Sequence, residues 1–125
     1  MKRMALALAA LAPLACSAGP TAPRPSPVPT PLVEPVVTIT DQGLDPQALH
    51  IVGDTGITFR NRGTRTVDLR SDPHPAHTEC ALMNLGPIEG GQSKVTEKIV
   101  PGQGCGYHDE TEPGSRAFQG FVLAH

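Results

Sequence analysis

Short alternating segments bounded by turn residues constrain the fold of this chain most strongly. From residue 36 onward, apolar residues recur at every second position, and the runs stop at glycine, proline or aspartate. A period of two is typical of β-strands that bury one face. The predicted strands are VVTIT (36–40), the runs around 49–51 and 57–59, RTVDLR (65–70), KVTEKIV (94–100), CGYH (105–108) and AFQGFVLA (117–124).

These strands predict an all-β domain. No stretch sustains a 3.6-residue apolar repeat beyond two turns, so no helix is expected. About seven strands in about 90 residues favour one Greek-key β-sandwich with a modest core. The only long predicted connection is 71–93, and loops of that length in compact domains are usually functional or disordered.

The amino-terminal residues predict export. Lys2 and Arg3 precede an apolar run that is too short to span a bilayer, so residues 1–15 are interpreted as a signal peptide. The following Cys16 resembles the lipidated cysteine of a bacterial lipobox. We therefore expect a membrane-anchored lipoprotein that faces the periplasm. Ser17 favours the outer membrane, because inner-membrane retention is associated with aspartate at this place. The alternative is a secreted protein with an ordinary cleaved signal.

A proline-rich spacer is predicted between the anchor and the domain. Positions 17–35 contain seven prolines and no apolar periodicity. Such a segment favours extended polyproline geometry and acts as a semi-rigid linker. The predicted organisation is therefore a signal peptide over 1–15, a lipidated cysteine with its linker over 16–35, and a domain over 36–125.

The charge balance excludes a nucleic-acid partner. Without residues 1–15 the chain has eight basic and twelve acidic side chains, a net charge of −4. It has no basic stripe and few aromatic residues on which bases could stack. No second apolar segment is long enough to cross a membrane, so the expected membrane contact is the lipid alone.

The segment SDPHPAHTEC (71–80) concentrates potential metal ligands. His74 lies between two prolines, whose fixed φ angles reduce the entropy lost when the loop is ordered. His77 is three residues further on, close enough to bind the same ion if the loop turns. Asp72 could accept an imidazole N–H and orient the ring, a common role beside metal-bound histidines.

A second polar segment, CGYHDE (105–110), carries a third candidate ligand, His108. Asp109 could orient this imidazole in the way proposed for Asp72. Glu110 is a possible further ligand, although solvation is the favoured interpretation of its carboxylate. A histidine-rich turn between prolines is, by itself, more often solvated than metal-bound, so the prediction depends on whether the two segments meet.

The order of these segments resembles the cupredoxin superfamily. VTITDQGLDPQALHIVGDTGITFRN (37–61) is similar to the first half of small blue-copper domains. PGQGCGYHDE (101–110), followed by FQGFVLA (118–124), is similar to their last hairpin, which carries a Cys-x-x-His pair on the metal loop. The motifs SDPHPxHxxC and CGYHD resemble a narrower, atypical bacterial branch. The resemblance implies a β-sandwich, a copper ion and electron transfer.

Departures from the blue-copper pattern affect the implied ligands. Val67 stands about where the family has its first histidine, and no methionine follows His108 at the axial position. Glu110 stands where the narrower branch has a second histidine. The usual centre of two histidines, a cysteine and a methionine cannot be formed from these residues.

Two ligand sets remain possible. In the first, the Cys105 thiolate and His108 bind the ion with one loop histidine. In the second, Cys105 is bonded to Cys80, and the three histidines bind with Glu110 or water beside them. The second set is favoured, because loss or lipidation of Cys16 leaves two cysteines in an oxidising compartment. A bridge closing a loop of about 25 residues would contribute about 3 kcal/mol.

The sequence therefore predicts a copper-binding domain that holds one ion where 71–80 and 105–110 meet. A thiolate ligand would suit electron transfer, whereas a histidine-only site favours copper handling; three imidazoles would also accept zinc. The expected partners are the copper ion and a redox or copper-delivery protein. No enzymatic activity is expected. His50 is predicted on the surface, His125 is given no role, and Met83 is predicted to pack. The alternative is a metal-free, disulfide-stapled interaction module.

Overall fold

The structure, a computed structural model, describes residues 34–125 together with Gly19 and residues 22–23. The chain divides after Pro31, and the second unit, Leu32–His125, is the domain described below. The predicted signal peptide (1–15), Cys16 and most of the predicted linker (16–35) lie outside the described residues. Among the described residues, no helix has the length and apolar character that crossing a bilayer requires.

Nine strands form two sheets in the described part of the chain. They are β1 Val36–Thr40, β2 Gly43–Asp45, β3 Ala48–Ile51, β4 Thr58–Asn61, β5 Val67–Ser71, β6 Gly86–Ile88, β7 Ser93–Val95, β8 Gly104–Asp109 and β9 Gln119–Ala124. Two short 3₁₀ turns, Ala81–Met83 and Arg116–Phe118, complete the regular structure.

The strand order gives each sheet one parallel pair. The first sheet has the order β2-β1-β4-β7, and the second has the order β3-β9-β8-β5-β6. β1 pairs with β4, and β3 pairs with β9, in the parallel direction, whereas the other neighbours are antiparallel. The predicted all-β sandwich is confirmed.

The core lies between the two sheets and follows the strand alternation. In β1 the alternate residues Val37 and Ile39 are fully buried, as are Val67 and Leu69 in β5. Such side chains each contribute about 1.5–3 kcal/mol when they leave water. Across the sheets, the Phe59 and Tyr107 rings meet edge to face with centroids 5.1 Å apart. Burial raises the pKa of Tyr107.

Several strands differ from the sequence prediction. β2 and β6 were not predicted, because their sequences GLD and GPI are short and lack an alternating apolar pattern. The predicted strand 94–100 is reduced to β7, after which Ile99 makes one isolated bridge to Thr55. Beyond β7, the Thr96 N–H donates to the Ile57 carbonyl at 2.9 Å, but the Ile57 N–H donates to the side-chain oxygen of Thr96, so the reciprocal backbone pairing of the ladder is interrupted there.

The last predicted strand also starts later than expected. Residues Arg116–Phe118 form a 3₁₀ turn before β9 begins. Within β9 the buried side chains are Val122 and Ala124, whereas Phe121 is 45% exposed. β9 lies between β3 and β8 and therefore connects the edge of the second sheet to its centre.

The pairing of β5 with β8 positions the candidate ligands. In this antiparallel pair, Arg70 lies opposite His108, and Ser71 lies opposite Tyr107. The chain leaves β5 into the histidine-rich segment directly beside His108. The connection 71–93 is not one open loop, because it contains a 3₁₀ turn and β6. Met83 is fully buried, as its predicted packing role requires.

Candidate metal centre

Four side chains meet at one end of the second sheet. His74, His77, His108 and Glu110 each offer one ligand atom, and these atoms all lie within 4.8 Å of one another. We call this group the metal centre. In the part of the chain that the structure describes, it is the only such group of three or more histidine, cysteine or acidic side chains.

Strand β8 fixes the most buried ligand. His108 is 2% exposed and lies one residue before the end of β8. Glu110 follows in the next turn, where its N–H donates to the Asp68 carbonyl at 2.8 Å. From this turn the Glu110 side chain reaches back to His108, whose Nε2 lies 3.2 Å from Glu110 Oε2.

The loop after β5 places the other two histidines. Its ends are tied by backbone bonds: the Asp72 N–H donates to the Gly106 carbonyl at 3.0 Å, and the Glu79 N–H donates to the Asp72 carbonyl at 2.9 Å. Within it, the His77 N–H donates to the Pro73 carbonyl at 2.7 Å. His77 has a positive φ of 54°, a conformation that non-glycine residues adopt at some cost and often at functional sites.

A disulfide joins this loop to β8. The Cys80 and Cys105 sulfurs are bonded, and both residues are buried. The Cys80 N–H also donates to the Ser71 hydroxyl at 2.8 Å. The ligand set with a Cys105 thiolate is therefore wrong for this structure, because that sulfur is already bonded. The histidine set agrees with the disulfide.

Hydrogen bonds select the nitrogens that face the centre. His77 Nδ1 is 2.8 Å from the Ser71 carbonyl oxygen, which can only accept, so Nδ1 carries the proton. His108 Nδ1 is 2.6 Å from an Asp72 carboxylate oxygen and donates to it in the same way. Both rings therefore present Nε2 to the centre. Asp72 was predicted to accept an imidazole N–H, and the imidazole that donates to it is that of His108.

One carboxylate oxygen lies among the three imidazoles. Glu110 Oε2 is 3.0 Å from His74 Nδ1, 3.2 Å from His108 Nε2 and 3.3 Å from His77 Nε2. Ligands about 2.0–2.1 Å from a zinc-sized ion are about 3.3 Å apart in a tetrahedron and about 2.9 Å apart at right angles. The three oxygen-to-nitrogen separations therefore match the distance between neighbouring ligands of one such ion.

The contacts of His77 and His108 with Glu110 require a positive charge between the imidazoles and the carboxylate. His77 and His108 each have acceptors beside both ring nitrogens, namely Ser71 or Asp72 on one side and Glu110 on the other. Without a cation, each Nε2 lone pair would face a carboxylate oxygen and repel it. Two conditions remove this repulsion: a second proton on each ring, or a metal ion between the nitrogens and the carboxylate.

The environment keeps Glu110 ionised. Burial alone would raise the pKa of this carboxyl. Hydrogen bonds from His74 and His108, together with the charges of His74 and His77, outweigh that effect and lower the pKa below its ordinary value. Glu110 was predicted to be solvated; its side chain is 30% exposed and its carboxylate contacts all three imidazoles. An ionised carboxylate is a suitable ligand for a divalent cation.

Asp109 does not orient His108, contrary to the sequence prediction. Successive side chains of a strand point to opposite faces, so the Asp109 carboxylate lies on the other side of β8, fully buried. It accepts from the backbone N–H groups of Asp68 and Thr111, each at 3.0 Å, and from the Thr111 hydroxyl at 2.7 Å. It also pairs with Arg65 at 3.0 Å. Asp109 therefore fixes the turn that carries Glu110.

Replacing Asp109 with alanine is expected to destabilise the domain by about 2–4 kcal/mol, because buried N–H donors and the Arg65 guanidinium lose their acceptor. Urea unfolding measures the change. Glu112→Gln is the matched control, since Glu112 pairs with the same arginine at 3.6 Å but is 55% exposed, and it is expected to cost less than about 1 kcal/mol. Equal effects of the two substitutions would contradict this role.

Two residues that support the centre were missed from the sequence. Ser71 accepts from His77 through its carbonyl and from Cys80 through its hydroxyl. Asn84 accepts from the Ser71 N–H at 2.9 Å and donates to the His77 carbonyl at 2.9 Å. Ser71 could have been suspected from its position at the end of a strand before the ligand loop. No sequence signal marks Asn84, which acts from 13 residues away.

Comparison with solved structures defines the fold as cupredoxin-like. A purple cupredoxin from Nitrosopumilus maritimus matches with a TM-score of 0.59 and 18% identity, covering 74% of this chain and 100% of that chain. Plastocyanin from Dryopteris crassirhizoma matches with a TM-score of 0.58 and 12% identity, covering 72% and 99%. An amicyanin mutant in the oxidised state matches with a TM-score of 0.58 and 20% identity, covering 74% and 82%.

The comparisons by sequence add no relative. No protein-family profile matches the chain, and no curated protein matches it. The structural neighbours confirm the predicted resemblance to cupredoxins at the level of the fold.

Proposed function

We propose that this domain binds one copper ion through His74 Nδ1, His77 Nε2, His108 Nε2 and the Glu110 carboxylate. The observation that carries the proposal is the position of Glu110 Oε2, 3.0–3.3 Å from the three imidazole nitrogens. These atoms come from two segments that the Cys80–Cys105 bridge joins. Neutral imidazoles and a carboxylate suit Cu(II), which binds most tightly among divalent first-row ions; the same set also accepts Zn(II).

The fold supports copper as the ion, while the donor atoms differ from those of a blue-copper centre. Several structural neighbours are amicyanin variants, some of them in a Cu(I) form. Among the residues that the structure describes, both cysteines are in the disulfide, and no methionine follows His108 in the sequence. A bound copper ion would supply one-electron redox chemistry, but without thiolate covalency the site favours holding or transferring copper over electron relay.

The exposure of the ligands supports a transfer role. His74 is the most accessible of the three histidines, with a side chain that is 46% exposed, whereas that of His108 is 3% exposed. An ion held here can be approached from the His74 side without opening the sandwich. We propose that a copper-delivery or redox partner approaches this face, and that the domain itself catalyses no reaction.

The visible spectrum of the copper-loaded protein, measured with a thiol count, tests this proposal. A Cys16→Ser variant leaves Cys80 and Cys105 as the only cysteines. We expect one tightly held Cu(II), a pale spectrum and no titratable thiol in the native protein. An intense blue or green band with two free thiols would show that Cys105 is a ligand. A protein that takes up no copper at the metal centre would instead support the metal-free interaction module.

We further propose that the protein is exported and anchored by a lipid on Cys16, with the domain facing the periplasm and the outer membrane favoured. The sequence of residues 1–16 motivates this, and a disulfide is consistent with an oxidising compartment. Mass spectrometry of the mature protein expressed in a bacterium should find a lipidated Cys16 at the amino terminus. A Cys16→Ala variant should be released from membranes. An unmodified mature chain would support the ordinary secretory signal.

A further inference from the structure

The five histidines of the chain fall into two groups. Three belong to the metal centre. The remaining two, His50 and His125, are 75 residues apart in sequence, yet their rings lie side by side with centroids 5.1 Å apart. His50 Nδ1 and His125 Nε2 are 2.7 Å apart. We propose that these two residues, the histidine pair, form a second metal site that takes a divalent first-row cation, Cu(II) in preference to Zn(II).

The histidine pair is distant from the metal centre. β8 and β9 place His108 opposite Gln119 and Gly104 opposite Leu123. His125 lies six residues beyond Gln119, which corresponds to about 20 Å along an extended strand. The pair is therefore at the other end of the second sheet, and binding there is independent of the proposed copper centre.

The backbone holds the histidine pair in place before any ion binds. β3 and β9 are parallel neighbours in which His50 lies opposite Leu123. Beyond β9, the His125 N–H donates to the Ile51 carbonyl at 2.9 Å, and the Gly53 N–H donates to the His125 carbonyl at 2.8 Å. Little backbone entropy is lost when two such fixed residues bind a common ion.

The separation of the ring nitrogens is close to that of two ligands on one ion. Two nitrogens bound at about 2.0–2.1 Å are about 2.9 Å apart at right angles and about 3.3 Å apart at the tetrahedral angle. The present 2.7 Å requires an opening of a few tenths of an ångström, together with a rotation that directs both nitrogen lone pairs to a common point. Both residues are exposed, so rotation of the rings can provide it.

The proton balance also permits metal binding. At 2.7 Å one ring donates N–H and the other accepts, because two lone pairs or two N–H groups would repel. A metal ion needs a lone pair on both facing nitrogens. The donor ring provides one by carrying its proton on its other nitrogen, a tautomer change that releases no proton from a neutral pair. Water or a side chain of another protein can supply the remaining ligands.

Titration with Cu(II) alone, followed by competition with a chelator, tests the proposal on the wild-type protein and three variants. We expect two equivalents for the wild type, the second weaker than the first. His50→Gln and His125→Gln should each lose the weaker equivalent, with at least about a tenfold fall in its affinity. The double variant His74→Ala/His77→Ala should lose the tighter one. Unchanged thermal unfolding of His50→Gln would show that the fold is intact.

The outcomes separate this inference from the proposed function. Two equivalents that persist in both His50→Gln and His125→Gln would overturn the second site, as would a single equivalent that only the His74→Ala/His77→Ala variant loses. A single equivalent lost in His50→Gln and kept in the double variant would support the histidine pair while contradicting the metal centre. Selective broadening of the Leu123 amide NMR signal by Cu(II), absent in His50→Gln, would support the location.

Discussion

Replacing His108 with alanine is expected to weaken the tighter Cu(II) equivalent by at least about 100-fold, since even groups that only orient a ligand contribute about 10–100-fold. His108 is the most buried ligand, and Asp72 holds its ring at 2.6 Å. Its loss would also leave the carboxylates of Asp72 and Glu110 without the imidazole between them. Competition with a chelator of known affinity measures the effect.

His50→Gln is the matched control for this substitution. His50 is also a strand histidine of the second sheet, but it is exposed and lies in β3, away from the metal centre. The tighter equivalent should keep its affinity in this variant. If His108→Ala were as harmless as His50→Gln, His108 would not be a ligand and the proposed centre would be wrong.

The double variant Cys80→Ala/Cys105→Ala is expected to lose both stability and copper affinity. The bridge joins residues 25 apart, and chain-entropy estimates give about 3 kcal/mol for a loop of this length. The loop that it ties down carries His74 and His77, so their release should reduce copper affinity by about 10–100-fold, as for other positioning groups. Urea unfolding and chelator competition measure the two effects.

Alanine is preferred to serine in this experiment, because both cysteines are buried and burying a hydroxyl costs free energy unless it is well hydrogen-bonded. Backbone hydrogen bonds of the loop, such as the one from the Cys80 N–H to the Ser71 hydroxyl, do not involve the sulfurs. The double variant should therefore still fold. A folded double variant with wild-type copper affinity would contradict the view that the disulfide holds the loop histidines in place.

The fold was largely predictable because most of its strands bury one face. β1 has alternating buried residues and was predicted with its observed bounds, Val36–Thr40. β2 and β6 were not, since three residues containing glycine or proline are too few to show a period. Their places are set by pairing with β1 and β5, a long-range condition that a local pattern does not contain.

The sequence indicated which residues lie near the candidate site, but it did not indicate what each of them contacts. The cysteine count favoured the bridge that brings the loop to His108. Glu110 could not be assigned, because the turn that aims it depends on Asp109 and its buried contacts with Arg65 and Thr111. The prediction that Asp109 orients His108 was wrong, although strand alternation alone places the two side chains on opposite faces of β8 and would have excluded it.

The histidine pair shows where sequence reasoning ends. His50 was expected on the surface, and it is exposed. Its neighbour His125 directly follows β9, the strand that pairs with β3 in the parallel direction, and is 75 residues away from His50 in sequence. Nothing in the local sequence of either residue indicates that pairing.

A crystal structure of the Cu(II)-loaded protein, with anomalous difference maps calculated at the copper absorption edge, tests the central claim most directly. We predict that the strongest peak lies among His74 Nδ1, His77 Nε2, His108 Nε2 and the Glu110 carboxylate, with the Cys80–Cys105 bond intact. Copper bound to the Cys105 sulfur, or a map without a peak among these four side chains, would contradict it.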